Sequence, residues 1–179
     1  MRVISGSARG HKLAAPKGIK TRPTGDRMKE DLFNILGSEV CGSRFLDLFC
    51  GSGAIGIEAI SRGAAHAVFV DSSKDAVDSV KANLIKTRLD GYAEVLRLTY
   101  KQSLERLQRN SFNIIFLDPP YENSKYNFKD LSVLLSNGGT VILECLKDII
   151  TPDFGDLILY RQKVYTKMQF MFFSREESL

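Results

Sequence analysis

The sequence predicts a single α/β domain whose mostly parallel β-sheet carries helices on both faces. Strand-like and helix-like segments alternate from Phe45 onward, which is the pattern of parallel strands joined by helical crossovers. A length of 179 residues, with 44% hydrophobic and 26% charged residues, is typical of one globular domain. No apolar run approaches the roughly 20 residues that a membrane-spanning helix needs. We therefore expect one domain over residues 1–179, no membrane partner and a cytoplasmic location.

Positive charge is concentrated near the N-terminus. Residues 1–30 hold eight basic side chains against Asp26 and Glu30, a net charge of +6 in a chain whose total is +4. Glycines and prolines recur as far as Pro23 and favour a short hairpin or an irregular arm. Such a basic arm, residues 1–23, is where a polyanion would bind. The alternative is a solvated, partly frayed tail.

A docked helical segment is predicted directly after the arm, over residues 24–37. The Thr24 hydroxyl can cap a helix from Asp26 to Leu36, and Gly37 ends it. The core of the domain then covers residues 45–179.

The core is predicted to contain seven strands, of which the last two form an antiparallel pair because only a tight connection separates them. The predicted strands are residues 45–49, 67–71, 92–98, 113–118, 140–145, 157–165 and 168–173. The predicted helices are residues 54–62, 74–86, 102–108 and 127–135, and the last of these is followed by a turn at Gly138-Gly139.

A glycine-rich loop follows the first core strand. Gly51-Ser52-Gly53-Ala54-Ile55-Gly56 matches the pattern G-x-G-x-x-G, and Asp71 ends the next strand. The glycines let the backbone approach a ligand and offer amide donors at a helix N-terminus, while the carboxylate can accept two ribose hydroxyls. We therefore expect a nucleotide-type ligand rather than a packing loop. The pattern leaves an adenine dinucleotide and S-adenosylmethionine equally open.

The tetrapeptide Asp118-Pro119-Pro120-Tyr121 decides between these ligands. A strand delivers Asp118 to the carboxyl edge of the sheet, and the two prolines offer no amide donors. The acceptors left there suit an exocyclic amine of a nucleobase, because accepting its N–H bonds favours a pyramidal nitrogen whose lone pair can attack a sulfonium methyl group. Tyr121 can stack on the base. The tetrapeptide therefore favours methyl transfer from S-adenosylmethionine, and its structural alternative is a surface turn.

Other candidate residues carry weaker signals. Arg22 and Arg27 flank the start of the predicted helix and could bind phosphates, although capping and surface charge explain Arg27 equally well. Three cysteines without C-x-x-C spacing and two distant histidines predict neither a disulfide nor a metal site. Cys50, beside the glycine loop, is expected to be a packed thiol, because amine methylation needs no nucleophile from the enzyme.

Taken together, these motifs resemble the RsmD family, the bacterial methyltransferases that modify guanine N2 in small-subunit ribosomal RNA. The resemblance covers nearly the whole chain. The glycine loop and the tetrapeptide are shared by many methyltransferases, whereas the arm and Arg22-Pro23-Thr24 narrow the match. The motifs that carry the resemblance are Arg2–Leu13, Arg22–Arg27, Glu30, Leu32–Asn34, Leu46–Gly53, Gly56, Glu58, Ser61–Gly63 and Asp118–Tyr121.

The resemblance implies a Rossmann-like, class I methyltransferase fold with a seven-stranded sheet and S-adenosylmethionine as the cofactor. It implies 16S ribosomal RNA as the partner, within the small subunit or an assembly intermediate, and we expect a monomer. The expected catalytic residues are Asp118, Pro119, Pro120 and Tyr121. The expected cofactor-binding residues are Asp47, Phe49, Gly51, Gly53, Gly56, Asp71, Ser72, Thr99 and Tyr100. Thr99 stands where relatives often carry Asp or Asn. The expected RNA-binding residues are Arg2, Arg9, Lys12, Arg22, Thr24 and Arg27.

Several other functions use parts of the same pattern. A DNA methyltransferase acting on adenine N6 or cytosine N4 is the nearest alternative, but only about forty residues precede the first core strand, which leaves little room to read a DNA sequence. Protein-glutamine methylation and small-molecule methylation fit the basic arm poorly. A nicotinamide-dependent oxidoreductase would explain the glycine loop but not the Asp118 tetrapeptide. An inactive RNA-binding module is disfavoured because both motifs are intact.

Overall fold

The computed structural model describes residues 1–16, 25–120 and 126–176, and seven strands in these ranges form one sheet. The strands are β1 (Arg44–Leu48), β2 (His66–Asp71), β3 (Ala93–Arg97), β4 (Phe112–Leu117), β5 (Leu135–Leu146), β6 (Ile158–Val164) and β7 (Met168–Ser174). The α-helices are α1 (Asp26–Leu36), α2 (Ala54–Ser61), α3 (Lys74–Thr87) and α4 (Tyr100–Arg106). Short 3₁₀ turns cover Gly37–Val40, Asp90–Tyr92 and Leu131–Leu134.

The strand order is β3-β2-β1-β4-β5-β7-β6. Strands β1 to β5 pair in parallel, and β7 pairs antiparallel with both β5 and β6. The order reverses between β1 and β4, which is where sheets of this kind bind ligands. The predicted α/β class, the Rossmann-like topology and the final antiparallel pair are confirmed.

Two hydrophobic clusters cover the two faces of the sheet. The first cluster joins the inward side chains of the arm, α1, α2 and α3 to one face, where Phe69 and Phe116 lie. The second cluster covers the opposite face and includes Leu117 and Phe128, with Leu104 of α4 packed against it. Side chains alternate between these faces along each strand, so strand parity decides which residues share a side of the binding edge.

The predicted helix over residues 127–135 and the turn at Gly138-Gly139 are wrong. Only Leu131–Leu134 forms a 3₁₀ turn, and Leu135 already pairs with Phe112 as the start of β5. The Asn127 side chain accepts the Lys129 backbone N–H at 3.0 Å, a local bond that competes with helix initiation. The glycine pair lies inside β5, where the pairing with β4 shifts register.

The first sixteen residues form a docked hairpin rather than a frayed tail. Arg2 and Lys12 form an antiparallel bridge, and the apolar side chains between and beside them are buried. Burial of Val3, Ala8 and Leu13 in the first cluster removes apolar surface from water and therefore stabilises the docking.

The carboxylate of Glu58, on α2, connects the hairpin to the core. It is fully buried and accepts the backbone N–H groups of Ile4 at 2.7 Å and Ser5 at 2.9 Å. The same carboxylate pairs with Arg62 at 2.8 Å and with Lys29 of α1 at 3.3 Å. Burial lowers the pKa of Lys29, while the Glu58 charge opposes that shift. One side chain thus joins the arm, α1 and α2.

A second set of contacts holds the hairpin along α2 and α3. The Ser61 hydroxyl accepts the Ala8 N–H at 2.9 Å and donates to the Ser5 carbonyl at 2.6 Å. On α3, the Asn83 side chain accepts the Ala14 N–H at 2.8 Å and donates to the Ala14 carbonyl at 2.9 Å. The arm therefore has fixed backbone partners on two helices.

None of the α-helices in the described ranges combines the length and the apolar character that crossing a membrane would require.

The docking of the hairpin predicts different effects for two glycine substitutions. Gly6 and Gly10 both have positive φ, at 82° and 85°, but a Cβ at Gly6 would lie 1.7 Å from the Ser61 carbonyl oxygen, whereas nothing lies within 4 Å at Gly10. Gly10→Ala should cost about 1–2 kcal/mol through the backbone alone. Gly6→Ala should cost a further ~1–3 kcal/mol through overpacking.

Urea unfolding of the two variants measures this difference. Equal losses of stability for Gly6→Ala and Gly10→Ala would contradict the docking of the hairpin against α2.

Candidate active site

The carboxyl ends of four neighbouring strands bring the predicted site residues to one edge of the sheet. Backbone hydrogen bonds connect these ends: the Cys50 N–H donates to the Val70 carbonyl at 3.1 Å, and the Asp118 N–H donates to the Leu48 carbonyl at 3.4 Å. The glycine loop after β1 therefore lies between the end of β2 and the end of β4. This is also the point where strand order reverses.

The glycine loop adopts a left-handed backbone over several residues. Phe49, Gly51 and Gly53 have φ values of 59°, 53° and 73°, which L-residues other than glycine rarely adopt. A Cβ at Gly51 would meet nothing within 4 Å, so the space above the loop is open to a ligand. Gly53 is the N-cap residue of α2.

Asp47 and Gly56 hold this loop from below. The Gly56 N–H donates to the Asp47 carboxylate at 2.9 Å, and Asp47 is buried. A Cβ at Gly56 would lie 2.4 Å from the Phe69 ring, so only glycine allows α2 to approach the sheet this closely. Burial raises the pKa of Asp47, and the Gly56 hydrogen bond opposes that shift. Both residues shape the loop from the interior.

Asp71 lies beside the loop at the end of β2. One of its carboxylate oxygens accepts the Gly51 N–H at 3.0 Å and the other accepts the Ser73 N–H at 2.9 Å. Each carboxylate oxygen has a second lone pair, so this half-buried side chain can still accept ribose hydroxyls. Ser72 is exposed next to it.

Thr99 and Tyr100 lie beyond the end of β3, but their side chains differ in surroundings. The exposed Thr99 hydroxyl accepts the Gln102 N–H at 3.3 Å as part of a capping box, which explains why α4 begins at Tyr100 rather than at the predicted Gln102. Tyr100 is buried, and its ring stacks on Phe49 with centroids 6.0 Å apart. Its hydroxyl has no hydrogen-bond partner among the described residues.

An aromatic wall made by Phe49, Tyr100, Tyr126 and Phe128 lines this part of the edge. The Tyr126 ring lies 4.9 Å from Phe49 and 5.9 Å from Tyr100, measured between centroids. Phe128 packs edge-on against Tyr100 at 5.5 Å. The sequence analysis missed Tyr126 and Phe128, although two aromatic residues shortly after the tetrapeptide were the available signal. The wall provides flat apolar surfaces on which an adenine or a substrate base can stack.

Asp118 is half-buried on the other side of the strand reversal, directly after β4. Pro119 is buried and Pro120 exposed, while Tyr121 lies outside the described residues. Burial raises the pKa of Asp118 well above its usual range, and the neighbouring Glu144 carboxylate adds to the shift. The position combines carboxylate and carbonyl acceptors without an amide donor, as an incoming amine requires.

Glu144, on β5, is a second site residue that the sequence analysis missed. It is buried at the carboxyl end of a strand that is otherwise apolar. The signal available in the sequence was an acidic residue inside the apolar run TVILEC.

The arm and α1 expose basic side chains. Arg2, Arg9, Lys12 and Arg27 are exposed, and Arg2 forms an ion pair with Asp26 at 3.0 Å. Arg22 and Thr24, also predicted to bind RNA, lie outside the described residues. Among residues that the structure describes, no group of three or more His, Cys, Asp or Glu side chains could hold a metal ion.

Comparisons with known proteins agree with this geometry. A family model described as Conserved hypothetical protein 95 matches residues 1–174. The chain belongs to this family. YlbH of Bacillus subtilis, a candidate rRNA methyltransferase by name, is 41% identical over 172 residues, which cover 92% of this chain and 94% of that protein.

Two further comparisons extend the match. Ribosomal RNA small subunit methyltransferase D of Escherichia coli K12 is 31% identical, with 98% of this chain and 90% of that protein covered. A solved structure of yhhF from Escherichia coli, a candidate methyltransferase by name, superposes with a TM-score of 0.85 at 30% identity, and 98% of each chain is covered. The protein is accordingly a methyltransferase, and the oxidoreductase alternative is wrong.

The raised pKa of Asp118 predicts how methyl transfer depends on pH. Only the ionised carboxylate accepts an amine N–H without offering a proton in return. The rate should therefore be full above the raised pKa of Asp118 and fall as pH drops through it, at a higher pH than the ~4 of an ordinary aspartate. Asp47 and Glu144, the nearest acidic groups, both disfavour a second negative charge there.

The measurement is kcat/KM for methyl transfer across the acidic range, with circular dichroism at each pH as the control for folding. A rate that stays constant down to the range of an ordinary aspartate, with the fold intact, would contradict the assignment.

Proposed function

We propose that the protein transfers the methyl group of S-adenosylmethionine to the exocyclic N2 amine of a guanine in 16S ribosomal RNA. The observation that carries this proposal is the position of Asp118 at the end of β4, next to the end of β1, from which the glycine loop departs. A site for a methyl donor and a site for an amine are thereby adjacent on one edge of the sheet.

S-adenosylmethionine is the methyl donor, and its sulfonium supplies an electrophilic methyl group. The chain offers the features that its adenosine needs. The space above Gly51 is open, and the carboxylate of Asp71 can accept hydroxyl groups while holding the loop. Phe49 and Tyr100 present aromatic rings beside these groups. Asp47, Gly53 and Gly56 hold the loop in shape, and Ser72 and Thr99 stand at its exposed margin.

Asp118 and the Pro119 carbonyl are proposed to accept the two N–H bonds of the target amine. An exocyclic amine is a weak nucleophile because its lone pair is conjugated into the ring. Acceptance of both N–H bonds favours a pyramidal nitrogen whose lone pair points at the methyl group, and positioning then contributes much of the rate. The amine loses its proton to solvent after transfer. Pro120 and Tyr121 complete the proposed base site, with Tyr121 stacking on the base.

The N-terminal arm is proposed to bind the ribosomal RNA backbone. Arg2, Arg9, Lys12 and Arg27 are exposed on the arm and α1 and can contact phosphates without reading sequence. The curated relatives named for small-subunit rRNA methylation support RNA as the polymer. Arg22 and Thr24 belong to the same proposed surface.

The arrangement of the chain is part of the same proposal. Residues 1–23 are the arm, residues 24–37 the docked segment and residues 45–179 the catalytic core of one domain. A monomer working in the cytoplasm on 16S ribosomal RNA, within the small subunit or an assembly intermediate, fits this arrangement.

The test of the proposal is identification of the methylated nucleoside. The purified protein is incubated with tritiated S-adenosylmethionine and 16S ribosomal RNA that lacks its modifications, and the RNA is digested to nucleosides. We expect the label in N2-methylguanosine, because guanine is the base whose amine is N2. DNA and 23S ribosomal RNA serve as controls and should remain unlabelled. Label in N6-methyladenosine would move the assignment to the adenine alternative.

A further inference from the structure

The base that this site accepts depends on more than the group that holds its amine. Adenine and cytosine carry a hydrogen-bond acceptor on the ring nitrogen next to their amine, whereas guanine carries a donor, N1–H, beside N2. A site for guanine therefore gains from a second acceptor adjacent to the one that holds the amine. A site for adenine or cytosine needs a donor at the same place.

Glu144 stands beside Asp118 across two parallel strands. Leu117 of β4 pairs with Leu143 of β5, so the next residue of each strand, Asp118 and Glu144, comes side by side at a strand spacing of roughly 5 Å. The two carboxylates interact, since the Glu144 charge raises the pKa of Asp118.

Strand parity puts both carboxylates on the same face of the sheet. Phe116 and Ile142, two residues before each of them, pack in the first hydrophobic cluster with α1, α2 and the arm, and side chains alternate along a strand. Asp47, on the same face of β1, is also close enough to be influenced by the Asp118 charge. Glu144 thus shares the side of the sheet on which the arm approaches the edge.

An acidic residue at this place has a cost that a purely structural position would avoid. Glu144 is only 5% exposed, and two carboxylates on adjacent strands repel each other. An apolar residue would pack on β5 without that repulsion. A ligand that presents two neighbouring N–H donors, one to each carboxylate, turns the repulsive pair into a complementary surface.

We propose that Glu144 selects guanine by accepting its N1–H while Asp118 accepts the N2 amine. The inference rests on the proposed function and deepens it, because it explains from this chain's own residues why guanine is chosen over adenine and cytosine. The two carboxylates together match the two adjacent donors of the guanine edge.

The test compares guanine with 2-aminopurine, which keeps the amine at C2 but carries an acceptor at N1. The substrate is 16S ribosomal RNA made by splinted ligation, with either base at the position that the wild-type enzyme methylates. The variants are wild type and Glu144→Gln, in which the side-chain amide of similar size can donate to N1 of 2-aminopurine. The measured quantity is kcat/KM for each substrate.

We expect the wild-type enzyme to prefer guanine by at least about 100-fold, because the analogue leaves a buried carboxylate facing an acceptor. In Glu144→Gln the preference should fall by at least about tenfold, through loss of activity on guanine and gain on 2-aminopurine. Asp118→Asn is the matched control, since it removes the amine acceptor and should slow both substrates in similar proportion.

An unchanged preference in Glu144→Gln, even with a lower overall rate, would overturn the role of Glu144 while leaving guanine methylation standing. Thermal unfolding of the variant identifies a merely structural loss, which lowers both rates together and leaves their ratio unaltered. Failure of the proposed function is distinct, because the wild-type enzyme would then label a nucleoside other than guanosine.

Discussion

The buried carboxylate of Glu58 is the interaction on which the rest of the structure depends. It joins the arm, through the N–H groups of Ile4 and Ser5, to Lys29 of α1 and Arg62 of α2. Removing one partner of such a buried ionic pair typically costs ~3–5 kcal/mol, because the other charge stays buried without compensation. The basic arm is consequently a fixed part of the domain, and the helix that holds it is the same helix that begins at the glycine loop.

That shared helix relates the proposed RNA surface to the proposed chemistry. The side-chain amide of Asn83 donates to the carbonyls of both Ala14, on the arm, and Ser52, in the glycine loop, each at 2.9 Å. Across the strand reversal, β4 and β5 bring Asp118 and Glu144 to the same edge. The proposed phosphate contacts, methyl donor and amine acceptors are thus set by one network of backbone positions, which suits a reaction controlled by positioning.

Much of this arrangement follows from local sequence patterns. Hydrophobic periodicity and glycines predicted the strands and most helices, and the apolar strand before Asp118 predicted where that residue lies. Contacts between distant segments were not predictable in this way. The role of Glu144 depends on the register of β5 against β4, and the helix predicted over 127–135 failed because tertiary packing needed only a short turn there. The capping role of Thr99 was readable from Gln102, three residues later, but was overlooked in favour of a ligand contact.

The central claim is that Asp118 receives the amine while other residues hold the methyl donor. The direct measurement is a single-turnover experiment with tritiated S-adenosylmethionine already bound to wild-type enzyme or Asp118→Asn, together with the Kd for the cofactor. The account predicts a Kd that changes by less than about twofold and a transfer rate that falls by roughly 10²–10³-fold, as expected for loss of one aligned polar group. Undiminished transfer in Asp118→Asn would contradict it.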